Sequence, residues 1–111
     1  MPHDAVIVGG AFAGLAAATY LVRARRRVCV IDAGRPRNRF ADASHGFLGS
    51  DGSDPAAILA RARAQLAAYP GFTLVEGEAT SARALGNSFA VSLSTGEEIS
   101  ARKVILAFGL R

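Results

Sequence analysis

Residues 4–32 read DAVIVGGAFAGLAAATYLVRARRRVCVID. Ala5, Val6, Ile7 and Val8 form an apolar, largely β-branched run of strand character. Gly9, Gly10, Ala11, Phe12, Ala13 and Gly14 then make a small-residue turn. An Ala/Leu-rich stretch follows, with Leu15, Ala18, Leu21 and Val22 at helical spacing. A second apolar run at residues 28–31 ends on an acid, Asp32. Strand, glycine turn, helix, strand and acid in that order predict one βαβ unit with a dinucleotide fingerprint.

Each part has a physical task. Gly9 lets the chain leave the strand sharply, and Gly14 lets the helix lie close to the strand beneath it. The helix N-terminus points unpaired N–H groups and a partial positive charge at whatever lies over the turn, which suits a pyrophosphate. Asp32, at the tip of the second strand, is placed to accept hydrogen bonds from ribose hydroxyls. It also disfavours a 2′-phosphate there, and so an NADP-type ligand in this site. Ala11 stands where the pattern G-x-G-x-x-G has its middle glycine, so a methyl group sets how near the backbone comes to the phosphate. The plain alternative is a βαβ unit whose glycines serve packing alone.

Bulk properties narrow the class. A chain of 111 residues, 50% hydrophobic and 20% charged, fits one domain with one core. The domain therefore spans residues 1–111. The formal charge is +4 and the pI about 10.2, with Lys103 the sole lysine. The densest basic group, Arg23, Arg25, Arg26 and Arg27, falls at the predicted end of the first helix, where cations suit the dipole. No aromatic residues interleave with it for base stacking, so it reads as a solvated helix end, not a nucleic-acid surface. The single cysteine, Cys29, sits in an apolar run without a C-x-x-C partner. It reads as a core residue, not a redox group or ligand. No signal peptide or membrane span is legible, and the expectation is a soluble, cytoplasmic chain with no membrane partner.

Beyond Asp32, residues 33–53 hold glycines and a proline with no sustained period, a long loop leaving the strand tip. Arg35, Arg37 and Arg39 bring positive charge there. Asn38 is placed to hydrogen-bond ribose or phosphate, and His45 and Gly46 to approach a ring system. Asp54 and Pro55 signal a helix start. Ile58, Leu59, Ala62, Leu66 and Tyr69 make its apolar stripe, Arg61 and Arg63 are expected away from it, and Pro70-Gly71 ends it. A third strand covers residues 72–75, with the chain extended through Ala79. Residues 88–94 alternate and residues 97–101 return after a Thr95-Gly96 turn, giving a hairpin or meander. A last buried strand spans residues 104–108 and ends in Gly109. No carboxylate pair, Ser/His/Asp set or metal cluster has credible spacing, so neither catalytic nor metal-binding residues are expected.

Taken together, VIVGGAFAGLAAATYL, VIDAGRPRN, SHGFLGSDG and a meander closing in VILAFG resemble the FAD-binding N-terminal part of thioredoxin-reductase-like pyridine nucleotide–disulfide oxidoreductases. The resemblance covers essentially the whole chain. It implies a Rossmann-like, three-layer α/β FAD/NAD(P)-binding domain, with a β-meander inserted in a parallel sheet. The cofactor implied is FAD, with NAD(P)H as co-substrate passing hydride through flavin to a disulfide or other acceptor. Carried over by position, Gly9 to Gly14 would hold the pyrophosphate, and Asp32 the adenosine ribose with Ala33 and Gly34 beside it. Arg37, Asn38, His45 and Gly46 would lie along the ribityl chain and flavin, and the backbone at Glu78 and Ala79 against adenine. The family's closing Ala-Thr-Gly is Ala107-Phe108-Gly109 here, which removes a hydroxyl. The family continues into an NAD(P)H-binding domain and a returning C-terminal FAD segment. The reading is therefore of a truncated portion, inactive alone, whose partner is a missing downstream domain or a second copy. Two alternatives stand: a non-catalytic NAD- or ADP-ribose-binding module, and a remnant that needs a partner chain.

Overall fold

The computed structural model describes residues 3–33 and 55–107. Its elements are β1 (His3–Val8), α1 (Phe12–Arg23), β2 (Val28–Asp32), α2 (Pro55–Ala67), β3 (Phe72–Glu76), β4 (Ala79–Leu85), β5 (Ser88–Leu93) and β6 (Glu98–Leu106). The strands form one sheet in the order β3-β2-β1-β6-β5-β4. The first four are mutually parallel, and β5 and β4 complete an antiparallel meander with β6.

The parallel half follows from its composition. Ala5, Val6 and Ile7 of β1 and all of Val28, Cys29, Val30 and Ile31 of β2 are buried, the continuous apolar character of strands covered on both faces. Leu15, Ala18 and Val22 of α1 are buried at spacings of three and four. They share one core with Ile7, Val28, Val30 and, from α2, Leu66. Leu59 and Ala62 pack against the same cluster. At the end of α1, Arg25 takes φ 65°, the left-handed turn that usually follows a helix. Only Arg23 of the basic group lies in the helix's last turn, and Arg25, Arg26 and Arg27 follow it in solvent. Asp4 then pins the start of β2, its carboxylate accepting from the Arg27 N–H at 2.7 Å.

A second core lies on the other face. Val91 and Leu93 of β5 and Ala101 of β6 cluster with Val6, Cys29 and Ile31. Strands β5 and β2 are not neighbours in the sheet, so the meander must curl back over the parallel strands. Chain connectivity demands the same thing. Strands β3 and β4 are the two ends of the strand order, yet only Gly77 and Glu78 join them. From Glu76 to Ala79 is three Cα–Cα steps, which reach at most about 11 Å, so the two outer edges of the sheet come together. The Ser94 N–H closes the seam on the Glu78 carbonyl at 2.9 Å. Helices, parallel strands and meander thus make three layers around two cores.

Two details depart from the sequence reading. Residues 97–101 and 104–108 read as separate runs, but residues 98–106 are one strand. Its first part pairs antiparallel with β5 and its second part parallel with β1, both ladders meeting at the fully buried Ala101. Strand β4 was not expected beyond Ala79. Its sequence ATSARAL is mostly small residues with no apolar alternation, and six of its seven residues are exposed. It is held by pairing with β5 across the Gly86-Asn87 turn, where Gly86 has φ 66°.

Cys29 is a core residue, as expected, at 1% exposure. Burial pushes its thiol from the ordinary 9.0 up to about 11. The unfolded chain therefore releases this proton first as pH rises. Its contribution to stability is intact below pH 9 and is lost between about 9 and 11. In denaturant titrations, Cys29→Ala should show a shallower loss of stability than wild type across that window. The native thiol should also resist alkylation until the protein unfolds.

Candidate functional site

The carboxyl ends of the parallel strands line up to form a crest. Val8 is paired with Ile31 and with Leu106, and Asp32 with Glu76. The ladder then runs one step further. Gly9 N–H donates to the Ile31 carbonyl, Ala107 N–H to the Val8 carbonyl, and Gly77 N–H to the Asp32 carbonyl, each at 2.9 Å. Gly77, Asp32, Gly9 and Ala107 therefore stand side by side where the strands end. In open parallel sheets this is where ligands bind.

The glycine turn opens on that crest. Gly9 has φ 122°, a conformation closed to side-chain-bearing residues. Gly14 allows a close backbone approach: a Cβ built on it would lie 1.8 Å from the Gly9 carbonyl oxygen. Ala11 is the N-cap of α1 with φ −88°, which alanine adopts without strain, so only its methyl volume distinguishes it from glycine. It gives the helix no side-chain cap, and no acid lies in the first turn, made by Phe12, Ala13 and Gly14. A helix N-terminus left uncapped by its own side chains is suited to an external anion.

Asp32 folds against this turn. A Cβ on Gly10 would meet its Cγ at 2.7 Å and its Oδ1 at 3.1 Å, so the carboxylate lies directly on the bare Cα of Gly10. The side chain is 14% exposed, and Arg63 Nη2 donates to its Oδ2 at 2.5 Å. The same Nη2 lies 3.4 Å from the Gly10 carbonyl oxygen. Arg63 is thus part of the site, against the expectation that it would face away. The helical spacing held the signal. Arg63 lies four residues after Leu59 and three before Leu66, on the flank of the buried stripe, whereas Arg61 is exposed as expected.

The structure brings together Gly9, Gly10, Ala11, Phe12, Ala13, Gly14, Asp32, Ala33 and Ala107 along one mouth. Ala33 is exposed directly after Asp32, and Ala107 packs partly against the helix-side core. Ala79 opens β4 beside the second core, two residues past Gly77 and next to the Glu78 carbonyl engaged by Ser94. Gly34, Arg37, Asn38, His45, Gly46 and Gly109 lie outside the described residues, as do Asp54 and Phe108. Among the described residues no group of His, Cys, Asp or Glu is arranged to hold a metal. None of their helices is long and apolar enough to cross a membrane.

A model of the pyridine nucleotide-disulphide oxidoreductases matches residues 3–111. The chain is 36% identical over 110 residues to the thioredoxin reductase tcpT of Claviceps purpurea, covering 96% of this chain and 34% of that protein. The crystal structure of an oxidoreductase from Agrobacterium tumefaciens superposes with a TM-score of 0.90 at 46% identity, covering 100% of this chain and 38% of that one. The crystal structure of HlmI superposes at 0.84 with 40% identity, covering 99% and 36%. The chain therefore spans about a third of the length of the proteins it matches.

Proposed function

We infer from one premise, that this chain belongs to the pyridine nucleotide-disulphide oxidoreductase family, that its mouth is the adenine-nucleotide end of an FAD site. The observation that carries the reading is the cradle itself. A bare Gly9–Gly10 backbone, a helix end with no side-chain cap and a carboxylate laid on Gly10 sit together at the strand tips. That donor set fits a dinucleotide: N–H groups for its phosphates and a carboxylate for its sugar.

In this reading the turn from Gly9 to Gly14 binds the pyrophosphate through backbone N–H groups, and Asp32 accepts from the adenosine ribose with Ala33 and Gly34 alongside. The backbone at Ala79 borders adenine. Ala107 and, by the resemblance, Gly109 would belong to the same cofactor site. By the resemblance, Arg37, Asn38, His45 and Gly46 would lie along the ribityl chain and flavin. FAD, when bound, supplies two-electron chemistry between NAD(P)H and a disulfide or other acceptor. The part played by this chain is to bind and orient.

Calorimetric titration of the purified protein with FAD, NAD and ADP-ribose tests the assignment. The expected result is measurable binding with FAD preferred, and bleaching of the yellow flavin band on adding NAD(P)H once the NAD(P)H-binding half is supplied. NAD or ADP-ribose binding as tightly as FAD would point instead to a non-catalytic nucleotide-binding module. No binding by any of the three would reject the nucleotide site.

A further inference from the structure

Arg63 is a charged side chain at this mouth whose presence the nucleotide reading leaves unexplained. An arginine in the middle of an alanine-rich helix has an easy alternative, which is to extend into water as Arg61 does. Arg63 turns inward instead, leaving its side chain 33% exposed. Its Nε is buried without a hydrogen-bond partner. Removing a guanidinium from water with one N–H unsatisfied is unfavourable unless a strong partner offsets it. The partner is Asp32, whose Oδ2 is held by Nη2 at 2.5 Å.

The pairing also fixes how the carboxylate is turned. Oδ2 is tied to α2, and Oδ1 lies over the bare Cα of Gly10. An ionised carboxylate accepts about four hydrogen bonds in all, so a guanidinium on one oxygen does not use up its capacity. A short aspartate at a strand end has freedom to rotate, and rotation would carry its oxygens off the glycine turn. The ion pair restrains that rotation before any ligand arrives.

We propose that Arg63 is the positioning residue for sugar recognition. It holds Asp32 so that the carboxylate meets the 2′- and 3′-hydroxyls of an adenine nucleotide, and it does not touch the phosphates. The inference rests on the nucleotide reading above and deepens it.

The test compares ADP with 2′,3′-dideoxy-ADP, by calorimetry on the purified protein. The two ligands share adenine and pyrophosphate and differ only in the hydroxyls that Asp32 would bind. Arg63→Ala should weaken ADP about tenfold, the effect of a charged hydrogen bond poorly aligned. Dideoxy-ADP should change by less than about threefold, the residue of losing one screened charge. In an Asp32→Asn background, Arg63→Ala should have no further effect on ADP. Arg63→Gln keeps length and a donor, and should show the same ligand-selective loss at smaller size if the alanine variant folds poorly. Equal losses for both ligands would overturn the proposal by placing Arg63 on the phosphates. Tighter ADP binding would overturn it by making Arg63 an obstruction. Wild-type protein that binds neither ligand rejects the nucleotide site itself, and wild type that binds both equally rejects the role of Asp32 while leaving the phosphate cradle standing.

Discussion

Gly14→Ala should destabilise the protein by about 3 kcal/mol or more, the upper range for forcing atoms into a packed site. Helix propensity alone predicts the opposite sign, since alanine in a helix interior is better than glycine by about 1 kcal/mol. Sterics win because the new Cβ would lie 1.8 Å from the Gly9 carbonyl oxygen, where ordinary contact begins near 3.4 Å. The obstacle is backbone, which no rotamer change relieves. The helix must lift off the strand turn, pulling Leu15 and Ala18 from the core they share with Ile7. Thermal unfolding should show a fall in Tm of roughly 10 °C or more. Gly10→Ala is the comparison. Its Cβ would meet Asp32 Cγ at 2.7 Å and Cβ at 2.8 Å, a clash less severe than that with the Gly9 carbonyl oxygen, so it should also destabilise, but by less than Gly14→Ala. An unchanged or raised Tm for Gly14→Ala would mean that α1 does not sit on β1 as described.

The second large effect concerns the ligand. Asp32→Asn should weaken FAD binding by about 10- to 100-fold, since hydrogen bonds to a charged acceptor contribute about 1.5–3 kcal/mol. The substitution keeps the shape of the side chain and removes its charge. It also turns one oxygen into a donor, leaving a single, uncharged acceptor oxygen for the Arg63 guanidinium and the donating ribose hydroxyls. Stability should change less than in Gly14→Ala, because Arg63 is 33% exposed and can follow its charge into water. Calorimetric FAD titration beside a melting curve separates the two effects. Wild-type affinity in a folded Asp32→Asn protein would remove the sugar from this corner of the site.

The βαβ unit was legible because its signals are local and redundant. The glycine spacing, the three-and-four rhythm of Leu15, Ala18 and Val22, and an acid at the end of an apolar run all lie within residues 4–32. Each is a backbone or burial requirement that the structure then meets. Strand β4 was harder because ATSARAL lacks a β-branched run, and an exposed strand needs no apolar alternation. The Gly86-Asn87 pair before β5 was the hairpin signal that could have found it. Arg63 escapes the pattern because a charge ordinarily avoids a buried stripe, although its spacing from Leu59 and Leu66 puts it there. Nothing in the sequence says which acid an inward arginine will meet. That depends on α2 lying beside α1 on one face of the sheet, which is a property of the assembled layers.

The position of β1 has a consequence for how the protein is made. Its two neighbours are β2, a short loop and a helix away, and β6, whose partner for His3 is Ala101. On the ribosome the first βα unit emerges early, but one flank of β1 stays bare until almost a hundred further residues have appeared. Such a wait leaves an apolar strand open to wrong pairing. Slow, chaperone-assisted maturation is the expected outcome, and release of the nascent chain before β6 emerges should yield aggregates instead of a smaller folded core.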